Sequence, residues 1–188
     1  MMQKDIKEAL EVLKQGGTIL YPTDTIWGIG CDATNQEAVK KVYSIKQRED
    51  SKSMLVLLGS DNMLPSYIDE VPDVAYELMD TAIDPLTIIY PGAKNLAHNA
   101  IHEDGTIGIR ITTDKFCTSL IQRLRKPIIS TSANISGTSP PENFEDIEPI
   151  ITELVDYVVE WRQDDLSRAK PSSIIKLGLG GEIEIIRK

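Results

Sequence analysis

Strand-length apolar runs alternate with helical patterns along the 188-residue chain, with no internal repeat and no linker-like stretch. Such alternation calls for a sheet whose faces are covered by helices, because neither element buries its apolar side alone. Ile6, Ala9, Leu10 and Leu13 follow helical spacing, and Gly16-Gly17 stands where that helix must close. Asn35 is placed to cap a second helix carrying Ala38, Val39, Val42 and Ile45 inward, ending near Lys46 and Arg48. Asp114 does the same for a helix presenting Phe116, Leu120, Ile121 and Leu124. Met54 to Leu58, Leu86 to Tyr90 and Thr106 to Ile111 read as strands, and an acidic helix is expected around Phe144 to Leu154. Ser172 to Leu177 and Glu182 to Arg187 pair as a hairpin across Gly178 to Gly181. A hairpin in an otherwise alternating chain makes the sheet mixed. The expectation is one α/β domain over residues 1–188, a twisted open mixed sheet flanked by helices.

The longest apolar runs are far shorter than the roughly 20 residues of a membrane span. Met1 to Asp5 does not open a secretory signal. A cytoplasmic protein with no membrane partner is expected. Cys31 and Cys117 lack Cys-x-x-Cys spacing and read as small buried hydrophobes. The net charge of −9 argues against a polyanionic ligand only if it is evenly spread. It is not: residues 61–84 hold seven acids and no base, and 142–165 hold nine acids and one arginine. With those stretches set aside, 13 acids face 19 bases, enough for a basic cleft.

Gly28-Ile-Gly30-Cys-Asp-Ala33 matches the dinucleotide fingerprint in letters, but the next helix begins only near Asn35, so the glycines read as a close-packed strand. His98 and His102 have no third ligand at sensible spacing and read as surface residues. Asn134-Ile-Ser136 is a glycosylation sequon only on paper. Three features call for a joint explanation. Lys46-Gln-Arg48, with Lys52 behind, puts cations at a helix end, where they also suit the helix dipole. Ser130 to Gly137 is a hydroxyl-rich bend after an apolar strand, either a plain polar loop or a ligand loop. Arg110 lies inside an apolar strand, where an ion pair or a bound anion must compensate it. A polyanion held by fixed cations and hydroxyl donors accounts for all three.

Tyr21-Pro-Thr-Asp-Thr-Ile-Trp-Gly-Ile-Gly30, Lys46-x-Arg48, Pro85-Leu-Thr87, Gly108-Ile-Arg110, Ser132-Ala-Asn134-Ile-Ser136-Gly137 and Lys170-Pro-Ser-Ser-Ile174 follow one another in order. In this the chain resembles the YrdC-like threonylcarbamoyl-AMP synthases, in their short single-domain form. The resemblance implies a large electropositive cavity in an open α/β sheet. It also implies a nucleotidyltransferase condensing L-threonine, bicarbonate and ATP into threonylcarbamoyl-AMP and pyrophosphate. Further implied are Mg²⁺ carried on the ATP phosphates without a protein-built metal site, binding of tRNA or double-stranded RNA, and downstream tRNA threonylcarbamoyltransferase proteins that consume the product. By position, Lys46, Arg48, Ser132 and Asn134 carry the chemistry. ATP is met by these four with Lys52, Thr106, Ser130, Ser139 and Arg187, and threonine by Thr23, Thr25, Arg110 and Ser172. The chain departs from the family pattern at Glu49, Ser53, Leu57 and Ala82-Ile83-Asp84. Two other readings use the same cleft: carbamoyl transfer, as in the related domain of hydrogenase-maturation proteins, and an RNA-binding or ribosome-maturation factor.

Overall fold

The computed structural model describes residues 1–47, 54–167 and 170–188. Helix α1 (Met2–Lys14) buries Ile6, Ala9 and Leu13, and Gly16, at φ +74°, turns the chain into β1 (Ile19–Tyr21). A loop leads to β2 (Gly28–Gly30) and then α2 (Gln36–Lys46), capped by Asn35, whose Oδ1 accepts from the N–H groups of Glu37 and Ala38. Next come β3 (Leu55–Leu58), the single turn α3 (Leu64–Tyr67), α4 (Asp73–Thr81), β4 (Leu86–Tyr90) and β5 (Ile107–Ile111). Helix α5 (Lys115–Leu124) starts at Asp114, which accepts from the Cys117 N–H at 2.9 Å. The chain continues through β6 (Ile128–Ser132), α6 (Pro149–Leu154), β7 (Tyr157–Val158), β8 (Ser173–Leu177) and β9 (Ile183–Arg187).

Among the described residues nine strands form one mixed sheet in the order β7-β1-β2-β6-β3-β5-β4-β8-β9. β1–β7, β3–β5 and β4–β8 are parallel and the other neighbours antiparallel, including the expected β8–β9 hairpin. One row of paired residues crosses six strands: Ile128, Leu57, Arg110, Thr87, Ile174 and Arg187. Residues paired in this way project from the same face. The last step depends on a bulge. Ile175 pairs with Ile185, yet Ile174 pairs with Arg187, so Ile186 is the extra residue that brings Arg187 onto the row.

Two expectations are corrected. Ser130, Thr131 and Ser132 belong to β6, because they pair with Leu55, Ile29 and Gly28; the loop begins only after Ser132. The acidic stretch from Phe144 to Leu154 is not one helix but a 3₁₀ turn (Phe144–Asp146) followed by α6. Pro149 lacks the N–H that a continuing helix would use, so it starts a new one.

The paired glycines of β2 are a packing requirement. A Cβ on Gly30 would run into the Ile129 carbonyl oxygen and the Tyr21 ring. Tyr21 is fully buried and donates its hydroxyl to that same carbonyl at 3.2 Å. Asp5, buried on α1, ties the helix to the far edge by accepting from the Tyr157 hydroxyl at 2.6 Å and the Trp161 N–H at 3.0 Å. Gly30→Ala is expected to cost roughly 1–3 kcal/mol, as overpacking does, read from urea unfolding. Burial pushes both cysteine thiols well above their ordinary range, so the thiolate is scarce near neutral pH. The native protein should therefore resist a disulfide-exchange reagent at pH 8 and react at both cysteines once unfolded in urea.

Candidate active site

A cleft of about 310 Å³ opens on the sheet face that carries the six-strand row. Its wall is formed by the loop before β2 (Thr25, Ile26, Trp27), Gly28, Leu55, Arg110, Ser130 to Ser132, Pro140, Pro171, Ser172, Ile174 and Arg187. Two guanidinium groups and no carboxylate stand among these described lining residues.

Arg110 is only 4% exposed and donates from Nη2 to Asp24 Oδ1 at 3.1 Å, so the ion pair expected of a buried arginine is present. Its Nε is buried without a hydrogen-bond partner among the described residues. Arg187 donates from Nε and Nη2 to the Ser172 carbonyl oxygen at 3.0 and 2.7 Å. Its proton affinity is lowered, first by partial burial and then by repulsion from Arg110 across the row. The Ser172 hydroxyl shares a 2.7 Å hydrogen bond with that of Thr87, the neighbour of Arg110 on the row.

The loop after β1 is fixed by its own threonines. Thr23 donates its hydroxyl to the Ile26 carbonyl at 2.8 Å and accepts from the Thr25 N–H at 3.0 Å. Thr25 thereby reaches the cleft while Thr23 stays behind it. Lys46, at the end of α2, is buried, and its ammonium donates to the carbonyl oxygens of Ser132 at 2.6 Å and Asn134 at 2.7 Å and to Asn134 Oδ1 at 3.1 Å. The Asn134 amide donates onward to the Thr138 carbonyl at 2.7 Å. Lys46 and Asn134 thus brace the loop beneath the cleft.

Of the residues singled out from sequence, Thr25, Arg110, Ser130, Ser132, Ser172 and Arg187 meet in the cleft. Thr23, Lys46 and Asn134 support it from behind. Thr106 is not on the wall, and its hydroxyl donates to Asp104 at 2.6 Å, beside His102 and Lys176. Ser139 is exposed next to Pro140, which does line the cleft. Leu57 sits on the row beside Arg110, fully buried. Arg48 and Lys52, with Glu49 and Ser53, lie outside the described residues.

Sequence reasoning missed Asp24, Trp27 and Arg162. Trp27 lines the cleft and packs on Phe144 with ring centroids 4.8 Å apart. Arg162 donates to the Thr23 carbonyl at 3.2 Å and to Asp114 at 3.3 Å, bracing the threonine loop from outside. Its signal was present, since it is the one base in the acidic stretch 142–165. Among the described residues no three His, Cys, Asp or Glu side chains gather as a metal cage. The oxygens facing the cleft are hydroxyls, a donor set that fits a Mg²⁺ keeping its water and bound through phosphates. Among the described residues no helix is long and apolar enough to cross a membrane.

The family model Sua5_yciO_yrdC, described as telomere recombination, matches residues 11–188. The chain belongs to that family. It is 32% identical over 184 residues to a threonylcarbamoyl-AMP synthase of Pseudoalteromonas translucida (strain TAC 125), covering 96% of this chain and 97% of that protein. With one from Coxiella burnetii (strain RSA 493 / Nine Mile phase I) it shares 29% identity over 181 residues, 96% of each. Among solved structures, E. coli YciO matches at a TM-score of 0.85 and 25% identity over 99% of this chain and 89% of that one. P. abyssi Sua5 complexed with L-threonine matches at 0.81 and 22% identity over 94% of this chain. That likeness is one of fold, and this chain spans about half of the Sua5 chain, 52%. The mixed nine-stranded sheet is thus the Sua5/YciO/YrdC fold.

Lys46→Met would leave the half-buried carbonyl of Ser132 and the buried one of Asn134 without their shared donor. The expected loss is roughly 1–3 kcal/mol, read from urea unfolding.

Proposed function

We propose that the chain is an L-threonylcarbamoyladenylate synthase, a nucleotidyltransferase that makes threonylcarbamoyl-AMP and pyrophosphate from L-threonine, bicarbonate and ATP. The product would supply the threonylcarbamoyl modification of the adenosine beside the tRNA anticodon, through downstream transferase proteins. One observation carries the reading: Arg110 and Arg187 share a row in a cleft otherwise lined by hydroxyl and apolar groups, the wall that a carboxylate and a polyphosphate both require. Relatives of matching length are named for this activity.

The threonine carboxylate binds the Arg110 guanidinium, with the Ser172 hydroxyl beside it. Thr25 closes the other side of the amino acid. The threonine amine condenses with bicarbonate, releasing water, to give a carbamate. A carbamate oxygen then forms a bond to the α-phosphorus of ATP, and the bond from that phosphorus to the pyrophosphate oxygen breaks. Negative charge grows on the phosphoryl oxygens and the leaving pyrophosphate, so placed cations and hydroxyl donors lower the barrier. Ser130 and Ser132 offer hydroxyls from a rigid strand, and Arg187 offers a guanidinium. The family pattern assigns Arg48 and Lys52 to the phosphates as well. Mg²⁺ riding on ATP would supply further charge neutralisation there.

Pyrophosphate release with threonine and bicarbonate omitted in turn tests the reading. Both omissions should abolish turnover; release that continues without threonine overturns it, and turnover of carbamoyl phosphate without threonine would favour carbamoyl transfer. Arg48→Ala should lower turnover by about 100-fold or more, as losing one charge-stabilising donor does, with the folded state intact by circular dichroism. Arg110→Ala should act mainly on the threonine requirement.

A further inference from the structure

We infer that Asp24 is a positioning residue for amino-acid recognition: it holds Arg110 by one edge so that the other edge is presented to the substrate carboxylate. The inference rests on the function proposed above and extends it to a residue behind the cleft wall.

A guanidinium inside an apolar strand is costly unless its charge and its donors are matched. Among the described residues Arg110 in β5 has one partner for both needs, Asp24, whose carboxylate accepts from Nη2 at 3.1 Å. The Asp24 side chain is only 10% exposed and that of Arg110 5%, so water screens the pair weakly. Asp24 is itself held. It lies between Thr23 and Thr25, whose backbone and hydroxyls close a tight turn, and Arg162 grips the Thr23 carbonyl from the outer side. The turn is closed by its own backbone and hydroxyl groups, so the carboxylate sets the orientation of the guanidinium rather than following it.

The consequence shows in what is left over. Arg110 lines the cleft, yet its Nε is buried and has no partner among the described residues. A buried N–H without an acceptor is destabilising, and a planar guanidinium matches a carboxylate through two adjacent N–H groups. Nε is buried and shares its edge with Nη2, which Asp24 holds, so Nη1, with no hydrogen-bond partner among the described residues, is the group left for the substrate. Asp24 is absent from the cleft wall and borders a separate cavity of about 370 Å³ together with Asp61, Asp80 and Asp84. The ion pair therefore divides the arginine-bearing cleft from an acid-lined one. Asp24 acts on the substrate through Arg110 and does not touch it.

The test is steady-state pyrophosphate release by Asp24→Ala, Asp24→Asn and Asp24→Glu, with threonine and ATP varied separately and thermal melts recorded in parallel. The expected result is a threonine KM raised roughly 10–100-fold in the Ala and Asn variants, the range for losing a partner that orients a binding group. The ATP KM should hold, and Asp24→Glu should recover part of the threonine KM. If Asp24→Ala fails to fold, Asp24→Asn carries the same expectation, because its amide oxygen still accepts from Nη2 while the charge is gone. An unchanged threonine KM in Asp24→Asn overturns the inference, as does an equal rise in both KM values. Wild-type protein that releases no pyrophosphate in response to threonine would instead overturn the proposed function, and direct calorimetry of threonine on wild type and Asp24→Asn would then decide the role of Asp24: weaker binding by the variant supports it, while equal binding, or none by either, overturns it.

Discussion

A permanently charged side chain in the middle of an apolar strand is the constraint around which this molecule is arranged. Arg110 has to be there to face the cleft, and the strand that carries it offers nothing to balance it. The balance comes from a loop 86 residues earlier in the chain, through Asp24. That loop is rigid because Thr23 and Thr25 satisfy its backbone, and Arg162 fastens it to the start of α5 through Asp114. Even Tyr21, buried just before the loop, feels this charge pair: burial dominates its raised proton affinity, with Arg110 and Asp24 acting in opposite directions.

The sheet order converts distant sequence positions into one working face. β6 sits between β2 and β3, so Ser130 to Ser132 are fixed as strand residues against Gly28 and Leu55. A hydroxyl on a paired strand is placed more firmly than one on a loop, which favours stabilising charge without rearrangement. Lys46 extends the same logic from below. Its ammonium gathers the carbonyls that would otherwise turn away as the chain leaves β6. The bulge in the β8–β9 hairpin brings Arg187 onto the face where Arg110 already stands.

Local chemistry was the legible part of the sequence. The caps at Asn35 and Asp114, the left-handed Gly16 and the final hairpin are set by neighbours a few residues away, and each appears where the pattern put it. The glycines of β2 were readable as close packing, although the ring that demands them, Tyr21, was not. What failed to show depends on pairing across the chain. Ser130 to Ser132 look like a loop because serine hydroxyls favour turns by bonding to nearby backbone, and only their partners on β2 and β3 reveal otherwise. The ordered motifs identified the family, yet they drew attention to Thr23 and Thr25 and away from the aspartate between them. They also gave no way to distinguish residues on the cleft wall, such as Ser132, from those bracing it, such as Lys46 and Asn134.

The row from Ile128 to Arg187 also governs when the protein becomes competent during its own synthesis. Its members enter the growing polypeptide in the order Leu57, Thr87, Arg110, Ile128, Ile174, Arg187, so the four central and β6-side positions are made first and the Ile174–Arg187 end comes last. A ribosome-bound intermediate can fold α1 or close its first hairpin, but it holds no complete anion-binding wall until residues 183–187 have emerged and zipped onto β8. A complete wall is therefore deferred until β9 has been made, and a nascent chain stalled earlier would lack its Arg187 side.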